Sequence, residues 1–323
     1  MKVERGKLLV LSSEVVAAEL SGQPVVAVES SLVAPAGAFP DNLTLFFEVG
    51  EALRSRGVVP AIVVVMDGLI RIGLDGPDLE QFARTKAVTK VGRRDLATAI
   101  ARGDTASTTV SSALCCAQLA GLPIVMTGAI GGVHRGHEES LDVSADLDEL
   151  ARTPVAVISA GAKVILDLPR TLEFLETKGV PVFGYRTADF PAYFCPSGLP
   201  VDARLDSAAE VANVMKIHWA LGMDGGIVIA VPPSGDIAVN REEIEVHVRD
   251  ALAEAVRKGV TGKAITPFLL THLEKATGGV SDRIRRASVL QVAAAAAEIA
   301  IEFSKLSRST RAESNSAAST GRI

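Results

Sequence analysis

Short, largely apolar runs punctuate this chain at VVAV (25–28), VPAIVVVM (59–66), PIVMT (123–127), VAVIS (155–159), PVFGY (181–185) and GIVIAV (226–231). A strand that is apolar at every position has both faces covered, which is the pattern of a parallel sheet between helical layers. Amphipathic stretches alternate with these runs. Helices fit 94–102, 110–119, 168–178, 208–221, 241–258 and 280–305. Another opens at Pro40-Asp41-Asn42, carries Leu43, Phe46, Phe47 and Leu53, and ends at Gly57. Asp67-Gly68, between 59–66 and 69–74, predicts a hairpin, because glycine supplies the positive φ of a type I′ turn. The fold expected is α/β: a single α/β/α domain with a mixed, mostly parallel central sheet and one hairpin. A length of 323 residues leaves room for two domains, yet no linker or repeat divides the chain. It reads as one domain over 1–306 and a disordered tail over 307–323, where Ser, Ala, Thr and Arg lack periodicity.

Composition narrows the class. At 48% hydrophobic and 22% charged, the chain can bury a sizeable core. A net charge of −5 argues against a general nucleic-acid binder. The start lacks the long apolar region of a signal peptide, and Val58–Met66 is far shorter than the ~20 residues of a membrane helix. A cytoplasmic protein with neither nucleic acid nor membrane as partner is expected. Cys115, Cys116 and Cys195 are too scattered for a disulfide framework and read as small buried hydrophobes. Trp219, at helical spacing from Val211 and Met215, reads as core.

In α/β sheets, ligands collect where strands end and loops begin. Glu29 follows the run at 25–28, where partial desolvation would suit a general acid or base; a capping or salt-bridged glutamate is the alternative. Lys163 follows 155–159 among small and aliphatic residues. Burial lowers a lysine's pKa and leaves an amine suited to imine formation, unless the side chain snorkels from a helix to solvent. The glycines of 127–136 would let backbone N–H groups approach a phosphate, with His134 and Arg135 adding charge, or they form a plain turn. In extended chain, Asp142, Ser144 and Asp146 would face one way as hard ligands for a divalent cation; Asp146 could instead cap a helix over 147–152. Lys90, Arg93 and Arg94 could hold a phosphate or form an ion-pair set. The other histidines show no metal-ligand spacing.

Together these segments resemble the pseudouridine-5′-phosphate glycosidase family, which includes the indigoidine-synthase-A-like proteins. The resemblance rests on VAVESSLVAPAG (26–37), KVGRRDL (90–96), TTVSSAL (108–114), MTGAIGGVHRG (126–136), LDVSAD (141–146), SAGAKVILDLPRTLEFLET (159–177), GYRTADFPAYF (184–194), RLDSAAEVA (204–212) and KAITPFLL (263–270). It implies C–C glycosidic bond chemistry at C1′ of ribose 5-phosphate, with Mn²⁺ or another divalent cation such as Mg²⁺, in a homotrimer. By resemblance, Lys163 forms an imine with C1′ and Glu29 shuttles protons. Lys90 and His134 then contact the sugar-phosphate region. Val110, Ser144, Ala145 and Asp146 line the substrate, and Asp142 holds the metal through its water shell.

One stretch departs from the family. Where members carry a uracil-contacting asparagine, this chain has Arg285, and Gln291-Val292 replaces an asparagine pair. An amide both donates and accepts, whereas a guanidinium only donates. The sugar half is therefore retained and the acceptor half changed. That pattern is similar to the branch that joins ribose 5-phosphate to an aromatic polyketide in alnumycin biosynthesis, a C-glycosynthase with a carbon-nucleophile acceptor. The alternatives are an ordinary glycosidase in which another residue reads uracil, and a catalytically lapsed sugar-phosphate binder.

Overall fold

The computed structural model describes residues 7–32, 39–85, 88–233 and 240–320. Its strands are β1 (Leu9–Leu11), β2 (Val25–Glu29), β3 (Val59–Met66), β4 (Leu69–Ile72), β5 (Thr89–Val91), β6 (Ala106–Thr108), β7 (Ile124–Met126), β8 (Ala156–Ser159), β9 (Val182–Tyr185), β10 (Asp189–Pro191), β11 (Pro196–Pro200), β12 (Ala203–Leu205) and β13 (Ile227–Ala230). Its helices are α1 (Ser13–Ser21), α2 (Thr44–Arg54), α3 (Gly76–Arg84), α4 (Leu96–Arg102), α5 (Val110–Leu119), α6 (His137–Ser140), α7 (Ala145–Leu150), α8 (Leu168–Thr177), α9 (Ala208–Ala220), α10 (Arg241–Arg257), α11 (Ile265–Ala276) and α12 (Val280–Thr320).

The main sheet runs β1-β4-β3-β2-β7-β8-β13-β9-β12, with β6 joined to β3 and β5 joined to β6. Pairing is parallel except at β3–β4 and β3–β6. At the β3–β4 turn, Asp67 and Gly68 have φ of 52° and 73°, as the hairpin requires. A second antiparallel pair, β10–β11, goes beyond the one hairpin expected.

Every residue of β2, β3, β7, β8 and β13 is buried. The strand period of two divides β3 between two apolar clusters. Ile62, Val64 and Met66 meet Phe46 of α2 and Leu79 and Phe82 of α3, while Val59, Ala61, Val63 and Val65 face the main core. Each of these side chains larger than alanine contributes about 1.5–3 kcal/mol when fully buried. Helices α2, α12 and α9 pack side by side, with α12 also touching β2, β7 and β8; α5 packs on α7 and reaches β2, β3 and β7.

Helical backbone continues past Ser307 to Thr320, where a tail without regular structure is expected from the sequence. The stretch has no proline or glycine before Gly321 to stop a helix already nucleated. The last part of that expected tail, 321–323, and residues 33–37 of the first matching segment lie outside the described residues. Within α12, Val280–Ser309 has the length and mean hydropathy (1.4) of a membrane span, a stretch the apolar-run reading passes over. Half of it is buried inside the protein, where Val289, Val292, Ala293, Ala296 and Ile299 form its core-facing stripe. Trp219 is half-buried and packs edge-on against Phe303 of α12, with centroids 5.8 Å apart. None of the three cysteines is in a disulfide, and Cys116 and Cys195 are buried.

Candidate active site

The carboxyl ends of β2, β7 and β8, which are neighbours in the sheet, bring three loops together. Glu29, the last residue of β2, is 2% exposed. Its carboxylate accepts from Thr127 Oγ1 at 3.1 Å and from the Ser31 N–H at 3.2 Å. Just beyond it, the Ser30 N–H donates to Thr108 Oγ1 (3.1 Å) and the Thr108 N–H to Ser30 Oγ (2.8 Å). These bonds tie the end of β2 to the end of β6. They set Glu29 beside the start of α5, where Thr109 is the N-cap and Val110 the first, buried residue.

Lys163 lies in the loop between β8 and α8, not on a helix. Gly161, at φ 73°, lets the chain turn there, and a Cβ on it would sit 1.9 Å from the Pro191 carbonyl oxygen. The Lys163 N–H donates to Ile130 O at 3.2 Å, and Nζ turns inward to donate to Ala129 O at 3.2 Å. The snorkelling alternative is therefore not what the side chain does. Burial pushes the Lys163 ammonium below the ordinary lysine range; the Asp146 charge opposes this, Lys90 adds to it, and Glu29 opposes it.

Asp146 neither joins an extended ladder with Asp142 and Ser144 nor caps α7. The helix begins at Ala145, and Ser144 is its N-cap, accepting from the Asp146 N–H at 3.3 Å. The Asp146 carboxylate instead accepts from the Ser111 N–H at 2.8 Å and the Gly131 N–H at 2.9 Å. It joins the first turn of α5 to the glycine loop after β7, while Ala145 beside it is exposed.

That glycine loop is not a free cradle of N–H groups. The N–H groups of Ile130, Gly131, Val133 and His134 bond to Gly161 O, Asp146 Oδ2, Thr171 Oγ1 and Asp142 O. The glycines serve close packing: a Cβ on Gly131 would lie 2.2 Å from Ser144 Oγ, and one on Gly132 would lie 2.4 Å from Thr171 Oγ1. Arg135 is likewise occupied, paired with Glu245 and donating to the carbonyls of Val164 and Leu166. Burial lowers the His134 pKa, with Asp142 opposing and Lys163 reinforcing the shift, so the imidazole is neutral at neutral pH. Asp142 is half-buried beside it.

The basic cluster separates by role. Lys90 is exposed on β5 and its charge reaches Lys163. Arg93 donates from Nη1 to both oxygens of Glu149, at 2.5 and 2.6 Å. Glu149 is 0% exposed and also takes bonds from Arg152 and Thr153. Arg93 is thus an ion-pair partner. Arg285, on α12, bonds to Asp282 through Nε (3.0 Å) and Nη2 (2.6 Å), and its charge reaches Tyr193. Sequence reasoning missed Tyr193, which lies inside a matching segment but carries no spacing signal of its own.

A family model, "Indigoidine synthase A like protein", matches residues 14–302. Curated relatives include the pseudouridine-5′-phosphate glycosidases of Caldanaerobacter subterraneus (46% identical, 92% of this chain and 97% of the relative) and Escherichia coli K12 (44%, 93% and 97%). Among solved structures, the prealnumycin C-glycosynthase AlnA in complex with ribulose 5-phosphate superposes with a TM-score of 0.88, at 34% identity over 94% of this chain and 99% of that one. An indigoidine synthase A-like protein from Thermotoga maritima gives 0.83 at 30% identity, over 92% and 97%.

Proposed function

This chain belongs to the indigoidine synthase A-like family, and from that premise we propose that it makes or breaks a carbon–carbon glycosidic bond at C1′ of ribose 5-phosphate through an imine on Lys163. The observation that carries the reading is an inward-turned lysine, its pKa lowered by burial, within electrostatic reach of Glu29 and Asp146. A C–C bond has no leaving oxygen to protonate, so a pair of carboxylates alone would not suffice. In the bond-forming direction, the neutral Lys163 amine condenses with the C1′ aldehyde of the open sugar and releases water. The iminium then accepts an electron pair from a ring carbon of the acceptor. That carbon gives up its proton, and the 4′-oxygen closes the ring as the lysine leaves C1′. Glu29 carries the protons, and cleavage runs the same steps backwards.

Lys90 and His134 serve the sugar-phosphate end, His134 by hydrogen bonding because it is neutral. Val110, Ser144, Ala145 and Asp146 border the sugar. Among the described residues no group of three or more His, Cys, Asp or Glu side chains could enclose an ion. The lone carboxylate of Asp142 fits Mn²⁺ or Mg²⁺ keeping most of its own water. Such a cation would supply positive charge near the phosphate.

Arg285 favours an aromatic acceptor other than uracil, hence the C-glycosynthase reading, since a guanidinium cannot accept from an imide N–H. Identities of 43–49% to curated glycosidases favour the second reading, reversible cleavage of pseudouridine 5′-phosphate. A cytoplasmic homotrimer accompanies either, and light scattering tests the assembly. The decisive experiment is peptide mapping after ribose 5-phosphate and borohydride: a reduced sugar adduct on Lys163 is expected, and its absence would refute the imine. Metal-dependent uracil release from pseudouridine 5′-phosphate would select the second reading. Creation of that activity by Arg285→Asn would select the first.

A further inference from the structure

Tyr193 takes no part in the chemistry above, yet it is held under strain at the site. Its φ is 64°, in the left-handed region, which costs a bulky residue about 1–2 kcal/mol. Its N–H donates to Ala160 O at 3.0 Å, and its carbonyl accepts from Ser288 Oγ of α12 at 3.4 Å. The ring stacks on Phe194, with centroids 4.6 Å apart and planes at 19°. The residue is 5% exposed, and its hydroxyl lies so close to Gly128 that a Cβ there would be 2.5 Å away. Gly128 stands between Thr127, which donates to Glu29, and Ala129, whose carbonyl receives Lys163 Nζ. Among the described residues the hydroxyl donates no hydrogen bond.

The charges acting on each group order the site. Lys163 feels Asp146, Lys90 and Glu29, and His134 feels Asp142 and Lys163. Tyr193 feels Arg285, Glu29 and Asp282. Glu29 is the shared member. Lys163 is linked in this way to Lys90 and His134, and Tyr193 to Arg285 and Asp282.

We propose that Tyr193 is a further specificity-determining residue: its hydroxyl donates to a ring oxygen of the carbon acceptor and fixes that ring against C1′, an inference that rests on the C-glycosidic reading of the site. The class of ring this selects carries a carbonyl or phenolate oxygen on the carbon next to the reacting one. Uracil and electron-rich polyphenols both have it. Burial keeps the phenol protonated, so it remains a donor.

The test separates the two halves of the ligand. In a Lys163→Met background, which prevents turnover, calorimetry compares ribose 5-phosphate with pseudouridine 5′-phosphate, with and without Tyr193→Phe. Phenylalanine keeps the ring and its stacking on Phe194. Affinity for ribose 5-phosphate should not change, while affinity for pseudouridine 5′-phosphate should fall about tenfold. An equal loss for both ligands, no loss for either, or a Tyr193-containing protein that binds pseudouridine 5′-phosphate no tighter than ribose 5-phosphate would each overturn the proposal. Failure of the underlying reading would show separately, as no borohydride adduct on Lys163 in the unsubstituted enzyme.

Discussion

Replacing Asp146 by alanine tests the idea that one carboxylate joins α5 to the glycine loop. Asp146 is 5% exposed, and the two N–H groups it receives belong to Ser111 and Gly131, both buried. Alanine leaves both donors facing a void. A hydrogen bond to a charged group is worth about 1.5–3 kcal/mol net, so the two together give about 3–6 kcal/mol. A domain's whole stability is about 5–15 kcal/mol, so the loss should be plain in equilibrium urea unfolding followed by far-UV circular dichroism. Asparagine keeps one acceptor and should cost about half as much. Ser144→Ala removes only the cap of α7 and should cost about 1 kcal/mol. A second readout is independent of stability. The Asp146 charge favours the Lys163 ammonium, so Asp146→Asn should move the pH midpoint of borohydride trapping downwards. The reasoning is refuted if Asp146→Ala unfolds within about 1 kcal/mol of the unsubstituted protein. It is also refuted if Ser144→Ala costs as much as Asp146→Ala.

Lys163→Met should be more stable than the parent at neutral pH, because the folded pKa of Lys163 lies below its unfolded value and burial of the ammonium is a cost. That cost is complete below the folded pKa and vanishes as pH rises past the ordinary lysine value, so the gap in urea midpoint should close on the alkaline side; a pH-independent gap contradicts it. His134 should titrate below an ordinary histidine by NMR, and acidification through that window should lower stability, since the unfolded chain binds the proton first. Arg93→Ala should cost about 1–2 kcal/mol, because Arg152 and Thr153 still hold Glu149, whereas Arg94→Ala, with a side chain 79% exposed, should stay within about 0.5 kcal/mol. Gly161→Ala should cost about 3 kcal/mol or more, against about 1–2 kcal/mol for Gly136→Ala, which shares a positive φ but meets nothing within 4 Å; thermal melts of the pair decide.

The sheet was legible because its central strands are apolar at nearly every position, and Asp67-Gly68 admits little besides a tight turn. Helix α1 was passed over although its signals were present: Ser12 caps its start and Gly22, at φ 69°, its end. The three-residue strands β5 and β6 could not be read, because their order comes from pairing with each other and with β3. Glu29 and Lys163 stood out as candidates by position, and the structure places each near the carboxyl end of a buried strand. The partners of Arg93, Arg135 and Asp146 did not stand out, since Glu149, Glu245 and the Ser111 N–H are distant in sequence and only tertiary packing joins them. For the same reason, glycines suggestive of an anion cradle turned out to admit neighbouring side chains.

Helix α12 has a consequence for the order in which this molecule is made. It covers β2, β7 and β8, lies along α2 and α9, and reaches Gly22 through Ser304 and Arg308. It also supplies Arg285 and the Ser288 contact to Tyr193. During synthesis, Glu29, Asp146 and Lys163 leave the ribosome well before this helix does. Until it docks, the apolar faces of early strands stay open and Tyr193 lacks its Ser288 contact. Glu29, Asp146 and Lys163 can therefore come together on the nascent chain, whereas Arg285 and the Ser288 contact to Tyr193 join them only when the last helix closes over β2, β7 and β8.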